Sequence, residues 1–208
     1  GQQRYQHAAI WVDGRAVDLG TLGGELGEAF SINNTVQVDA WAFDRARRQR
    51  AFLWTPGHGM IAVGDVGTPT AIAAAINDES QVVGPAQPAG DPFGASHAFR
   101  WQNGVMTDLG VLPEAGQEGP FGPELVNTAA TSINNAGQIV GNSYPGTLRP
   151  GPFLWQDGVM RNLNDLIESA SEWTLTEANH INDAGQIVGT ARSGAGDIRA
   201  VVLTPRVP

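Results

Sequence analysis

Residues 130–141 read ATSINNAGQIVG and residues 178–189 read ANHINDAGQIVG. Weaker copies occupy 73–84 (AAAINDESQVVG) and 29–40 (AFSINNTVQVDA). Each joins a short apolar run ending in Ile-Asn to a turn, then to a run rich in β-branched residues. A second motif alternates with the first: His7–Trp11 (HAAIW), Ala51–Trp54 (AFLW), His97–Trp101 (HAFRW), Pro152–Trp155 (PFLW) and a worn copy at 199–204 (RAVVLT). The tryptophans Trp11, Trp54, Trp101 and Trp155 are 43, 47 and 54 residues apart. A period in the forties built from short strand-like motifs points to a propeller or an array.

The third unit shows the strand pattern best. Thr131–Asn134, Gln138–Gly141, Phe153–Trp155 and Val159–Leu163 read as strands. Asn135-Ala-Gly137 and Gln156-Asp-Gly158 read as tight turns, because Asx-Gly pairs supply the positive φ that short hairpins need. No segment carries a sustained helical stripe, and the best helical candidate is short, about Leu163–Ala170. The expected fold is all-β: a small β-propeller of about four blades, each of four antiparallel strands. Residues 1–208 form one domain, with repeats near 7–50, 51–96, 97–151 and 152–198 and a closing strand at 199–204. Strand alternation places the short turns on one face. The longer, variable segments, among them 20–28, 43–50, 110–128, 142–151, 164–177 and 190–198, lie on the other. Function concentrates on variable loops held by a rigid scaffold, so the long-loop face is the expected binding face.

Composition narrows the chemistry. The chain has 208 residues, with 27 Gly and 13 Pro, which suits a turn-rich protein. It has no cysteine, so a thiolate nucleophile and a Cys-based metal site are excluded. All 12 basic residues are Arg, which excludes Schiff-base chemistry and a P-loop. A net charge of −9 argues against nucleic acid as a partner. No apolar run is long enough to predict membrane insertion. Gly1 in place of an initiator Met suggests that a leader has been removed.

The combination of His-Ala-Phe-X-Trp, Gly-Val-Met-Thr-Asp-Leu-Gly and Ile-Asn-Asx-Ala-Gly-Gln-Ile-Val-Gly resembles the HAF repeat family; His97–Gly110 and Ser132–Gly141 match it closely. The resemblance covers nearly the whole chain. It implies a propeller-like fold and an exported bacterial protein, extracellular or periplasmic. It carries no family catalytic residues. The first unit departs from the pattern, with Val36 at the turn glycine and Asp39 near the usual Gly.

The repeated asparagines Asn33, Asn77, Asn134 and Asn182 read as turn chemistry before they read as a ligand ring. The repeated tryptophans read as core. Residues that break the repeat carry the functional expectation. Trp41 and Trp173 lie outside the motif and are candidate ligand contacts. His180 stands where other units have Ser31, Ala75 and Ser132, and its neighbour Asn179 stands where they have Phe30, Ala74 and Thr131. Glu177 or Glu124 is a candidate partner for the imidazole. Tyr144, Arg149 and Arg192 complete the expected ligand-binding set. Neither a metal nor a cofactor is suggested. The leading reading is a binding or interaction module for a small molecule, carbohydrate or protein. The alternative is a cofactor-independent lyase, cyclase or hydrolase, with His180, Glu177 and Glu124 as the acid–base group at the channel mouth.

Overall fold

The computed structural model describes residues 6–64, 70–87, 95–112, 118–119, 122–123, 126–145, 151–167 and 172–206. It is all-β and antiparallel. A hairpin of β1 (Ala8–Val12) and β2 (Arg15–Gly20) comes first. The first sheet follows as a meander of β3 (Gly23–Ile32), β4 (Val38–Asp44), β5 (Gln49–Thr55) and β6 (Gly59–Val63). The second sheet contains β7 (Ala75–Ile76), β8 (Val82–Ala86), β9 (His97–Gln102) and β10 (Val105–Asp108). A small ribbon, β11 (Glu118–Gly119) and β12 (Gly122–Pro123), precedes the third sheet. That sheet comprises β13 (Val126–Ile133), β14 (Ile139–Pro145), β15 (Gly151–Gln156) and β16 (Val159–Asn162). The fourth has β17 (Trp173–Ile181), β18 (Ile187–Ser193) and β19 (Ile198–Leu203).

Each Ile-Asn hairpin supplies strands one and two of a sheet, and each AFLW-type hairpin supplies strands three and four. The sheets therefore run out of phase with the repeat boundaries drawn from the sequence. The HAAIW strand β1 heads a lone hairpin, and the worn copy β19 is the third strand of the last sheet. The expected helix at Leu163–Ala170 is a single 3-10 turn, Leu163–Asp165, in which the Asn162 side chain accepts from Asn164 N–H. Residues 168–170 of that expectation lie outside the described residues. No helix among the described residues is long and apolar enough to cross a membrane.

Burial follows the chain order. One face of each sheet packs on the sheet before it. Ile76, Val82, Phe99 and Trp101 of the second sheet meet Ala51, Leu53 and Val63 of the first. Ile133, Ile139, Phe153 and Trp155 of the third meet Ala75, Val83 and Ala98 of the second. Ile181 and Ile187 of the fourth meet Val140 of the third. The motif tryptophans Trp101 and Trp155 are buried in these layers, as a repeated core residue should be. Trp11 is the exception: among the described residues it is the most exposed large hydrophobic.

The glycine that closes each Gln-Ile-Val-Gly run has a packing cause. At Gly141 a Cβ would sit 2.1 Å from the Ala129 carbonyl, and at Gly189 it would sit 2.0 Å from that of Glu177. Both sites lie beside a bulge in the partner strand. The turn position held by Gly137 and Gly185 is taken by Val36 in the first sheet, with φ 64°. A β-branched residue in that region is strained.

Candidate functional site

The repeated asparagines form a ladder across the sheets. Within each turn the amide oxygen accepts backbone N–H bonds: Asn33 Oδ1 from Thr35 and Gln37, and Asn134 Oδ1 from Gln138. The amide nitrogen then reaches the next sheet. Asn33 Nδ2 donates to Asn77 O at 2.9 Å, Asn77 Nδ2 to Asn134 O at 3.0 Å, and Asn134 Nδ2 to Asn182 O at 3.0 Å. The following residue repeats the device. Asp78 Oδ1 accepts from Asn34 N–H, Asn135 Oδ1 from Asp78 N–H, and Asp183 Oδ1 from Asn135 N–H, each at 2.8 Å. Asn34 and Asn135 side chains also donate to Asp78, which holds its carboxyl below the usual range. The Ile-Asn-Asx signature thus joins sheet to sheet as well as closing its own turn.

The motif histidines are structural by the same standard. His7 Nδ1 lies 2.8 Å from Asp18 Oδ2, and His97 Nδ1 lies 2.8 Å from Asp108 Oδ2. The other oxygen of each aspartate accepts the N–H of Gly20 or Gly110. The hydrogen bonds from His7 and then Gly20 lower the Asp18 carboxyl. The arginine run 45–50 sits in a tight hairpin rather than an open loop. Asp44 accepts from Ala46 N–H, Arg48 N–H and Arg48 Nε, and lies 3.6 Å from Arg50 Nε.

The candidate residues were expected on long loops. Glu177, Tyr144, Trp173 and Arg192 instead lie on strands, because backbone pairing continues past the apolar motif. Asn127 pairs with Tyr144, and Thr174 with Arg192. Glu124 and Arg149 lie outside the described residues. Trp173 begins β17 and packs half-buried against the core between the third and fourth sheets. Arg192 is exposed on β18. Trp41 sits on β4 opposite Glu28, edge-on to Phe43 at 5.3 Å. It belongs to the first sheet, so it does not join the others.

Four candidates lie on two neighbouring strands, β14 and β17. Asn179 occupies the bulge of β17 and is exposed, flanked by Glu177 and His180, both also exposed. His180 Nδ1 lies 3.1 Å from Ser132 Oγ on β13 and 3.3 Å from Ile181 O. Glu177 Oε2 accepts from the Thr190 hydroxyl at 3.2 Å. Tyr144 of β14 stands close by and is 45% exposed. Its phenol is raised, first by burial and then by the Glu177 carboxylate, while a hydrogen bond with Asn142 opposes the rise. Ser132 is buried, and its hydroxyl accepts from Ile181 N–H, so it is not an accessible nucleophile. No ion pair joins His180 to Glu177 among the described residues. No group of three or more His, Asp or Glu among them is placed to hold a metal ion.

His180 takes the row position of Ser31, Ala75 and Ser132. Ala75 and Ser132 are buried, Ala75 in the core shared with the third sheet and Ser132 against Ile181 of the fourth. Among the described residues no further sheet lies over that row on the fourth sheet, and His180 is exposed.

A cleft of about 630 Å³ also opens between the third and fourth sheets, lined by Leu154, Leu163, Ile181, Ile187, Leu203 and Gln156, among others. Leu203 pairs with Ile187 as Trp155 pairs with Ile139, so a smaller side chain stands where the third sheet has tryptophan.

Alignment of the rows shows what the departure at Asp39 does, which the motif alone does not. Asp39 pairs with Leu53 as Val140 pairs with Leu154, so a carboxylate occupies a valine position. It is fully buried, and neither oxygen has a hydrogen-bond partner. Burial pushes the carboxyl up to about 7; the nearby Ser31 hydroxyl and backbone N–H groups oppose this only in part. The signal was legible: Val83, Val140 and Val188 hold the equivalent positions.

These features define an all-β repeat protein of antiparallel sheets. Residues 59–197 match the family described as a protein of unknown function, DUF3466, and the chain belongs to that family. No curated protein matches it.

Proposed function

We propose that the chain is a binding module of an exported repeat protein of the HAF type, its sheets arranged as the blades of a single propeller-like domain. The ligand is a carbohydrate or another polyhydroxyl small molecule, held by Tyr144, Glu177, Asn179 and His180. One observation supports this reading: four exposed side chains that the repeat does not require lie on the neighbouring strands β14 and β17, and the Glu177 carboxylate acts on the Tyr144 phenol. A phenol face, a carboxylate and an amide supply the stacking surface and the hydrogen-bond partners that such a ligand needs. Catalysis is the weaker reading. Glu177 bonds Thr190 rather than the imidazole, and the hydroxyl beside His180 is buried.

The test is a glycan and polar-metabolite screen by saturation-transfer NMR, repeated with Tyr144→Ala and Glu177→Gln. Binding weakened tenfold or more by both changes supports the proposal. Binding that neither change affects refutes this site.

A further inference from the structure

The three junctions between the four larger sheets repeat one arrangement with different residues. The residue before each motif tryptophan faces the next sheet: Leu53, Arg100 and Leu154 in turn. Opposite stands the tryptophan of the next copy, Trp101 or Trp155, and in the fourth sheet Leu203. At the second junction the Arg100 guanidinium lies over the Trp155 ring, 5.1 Å from its centroid. At the third, Leu154 and Leu203 pack on the same core, and that position holds no indole. At the first, Leu53 and Trp101 share the core, so an indole is present without a guanidinium over it.

A cleft of about 510 Å³ opens at this first junction. Leu53 and Trp101, both buried, form its floor, and Thr55, Ser80 and Asn103 stand around it. A leucine reproduces the first carbons of an arginine stem and stops short of the head. The space it leaves is the kind that Arg100 fills one junction later. Thr55 widens it: Gln37 Nε2 reaches Thr55 Oγ1 at 3.4 Å, whereas Gln81 and Gln138 meet the longer Gln102 and Gln156 at 3.2 and 3.0 Å. Ser80 takes the turn position of Gly137 and Gly185, with φ 59°. Its hydroxyl donates to Gln37 Oε1 at 2.7 Å, and among the described residues no donor reaches its oxygen. No basic side chain lines the cleft among them. Asp39 adds negative charge. It is the direct partner of Leu53 on β4, so the two side chains lie side by side on one face of the sheet, and its carboxyl has no hydrogen-bond partner. A carboxylate that closes no bond within the fold favours a cation in the same junction.

We propose that this cleft binds a small molecule bearing a guanidinium group. The head meets Trp101 as Arg100 meets Trp155. Its N–H groups donate to the Thr55 and Ser80 hydroxyl oxygens and to the Asn103 amide oxygen at the rim, and a short apolar body lies on Leu53 and Ile61. Guanidinium suits the place better than ammonium, because it is planar, weakly hydrated and stacks on aromatic rings. The site is separate from the Tyr144 and Glu177 cluster, which belongs to the third and fourth sheets, and the two readings fail independently.

The probe is n-propylguanidinium, with n-propylurea as its uncharged counterpart, each titrated into the whole chain and followed by amide and indole NMR. The cation should give saturable shifts at the Trp101 indole N–H and at Leu53, Thr55 and Ser80, with a Kd on the order of 1 mM, as befits so small a ligand. The urea should bind about tenfold more weakly or worse, for want of the cation–π contact. Two substitutions exchange the junctions. Leu53→Arg supplies the head from within the chain and should abolish binding. Arg100→Leu installs the residue that positions 53 and 154 already carry, and should add a second set of shifts at the Trp155 indole. The proposal is overturned by the absence of saturable shifts at Trp101, by equal binding of the urea, or by an Arg100→Leu chain that gains nothing at Trp155. Binding at Trp101 that survives in a folded Leu53→Arg chain overturns it too; if that variant does not fold, the Arg100→Leu result decides alone.

Discussion

Replacing Asp39 with valine should stabilise the protein, and by an amount that depends on pH. In the fold this carboxyl is buried without a hydrogen-bond partner and titrates near 7, against an ordinary value of 3.8. Its folded-state pKa is raised, so the folded form is least penalised below pH 3.8, where the group is neutral in both states. As pH rises, the unfolded chain releases the proton first and stability falls, until the folded carboxyl also ionises near 7. At about 1.4 kcal/mol per pH unit, the loss across that window is about 4 kcal/mol, of which about 2.5 kcal/mol falls between pH 5 and pH 8. Urea unfolding of the parent and of Asp39→Val at these two pH values measures it. Packing changes cancel in the double difference, which isolates the ionisation. The variant should gain about 2–3 kcal/mol more at pH 8 than at pH 5. An equal gain at both would refute the buried-carboxyl argument.

The ladder predicts a gradient along the chain. Asn134→Ala removes an inter-sheet bond and two turn bonds, for a loss of about 3 kcal/mol, whereas Asn182→Ala removes only the turn bonds at an exposed site and should cost about 1 kcal/mol in the same assay. Val36→Gly should raise stability by about 0.5–1 kcal/mol, the relief of a left-handed valine less the entropy of glycine, read as an increase in Tm. Gly141→Ala drives a methyl into the Ala129 carbonyl and should cost about 3 kcal/mol; Gly194→Ala, with nothing within 4 Å, should be near neutral.

The all-β class and the strand identities were legible because the Ile-Asn and AFLW motifs recur with turn chemistry between them. The pairing phase was not. Either hairpin is a plausible first half of a sheet, and only the long-range pairing of β14 with β15, across ten residues of variable sequence, decides it. Strand lengths were also underestimated, since Asn127 and Tyr144 pair through the backbone with no apolar pattern to announce it. The asparagines were read correctly as turn residues. Their second role, joining neighbouring sheets, depends on contacts 44 to 57 residues apart. His180 and Asn179 were singled out because they break a repeat. Asp39 also stood out as a departure, but beside a degraded glycine position its place in a buried valine row was not read.

The most direct test of the account is an amide-resolved NMR titration of the intact chain with a ligand from the polar screen. The account predicts chemical-shift changes gathered at residues 142–144 and 177–180, with the Asn33, Asn77, Asn134 and Asn182 turns unmoved. Shifts centred on those turns would contradict it, because the repeated asparagines would then be the binding site and the unrepeated cluster would be incidental.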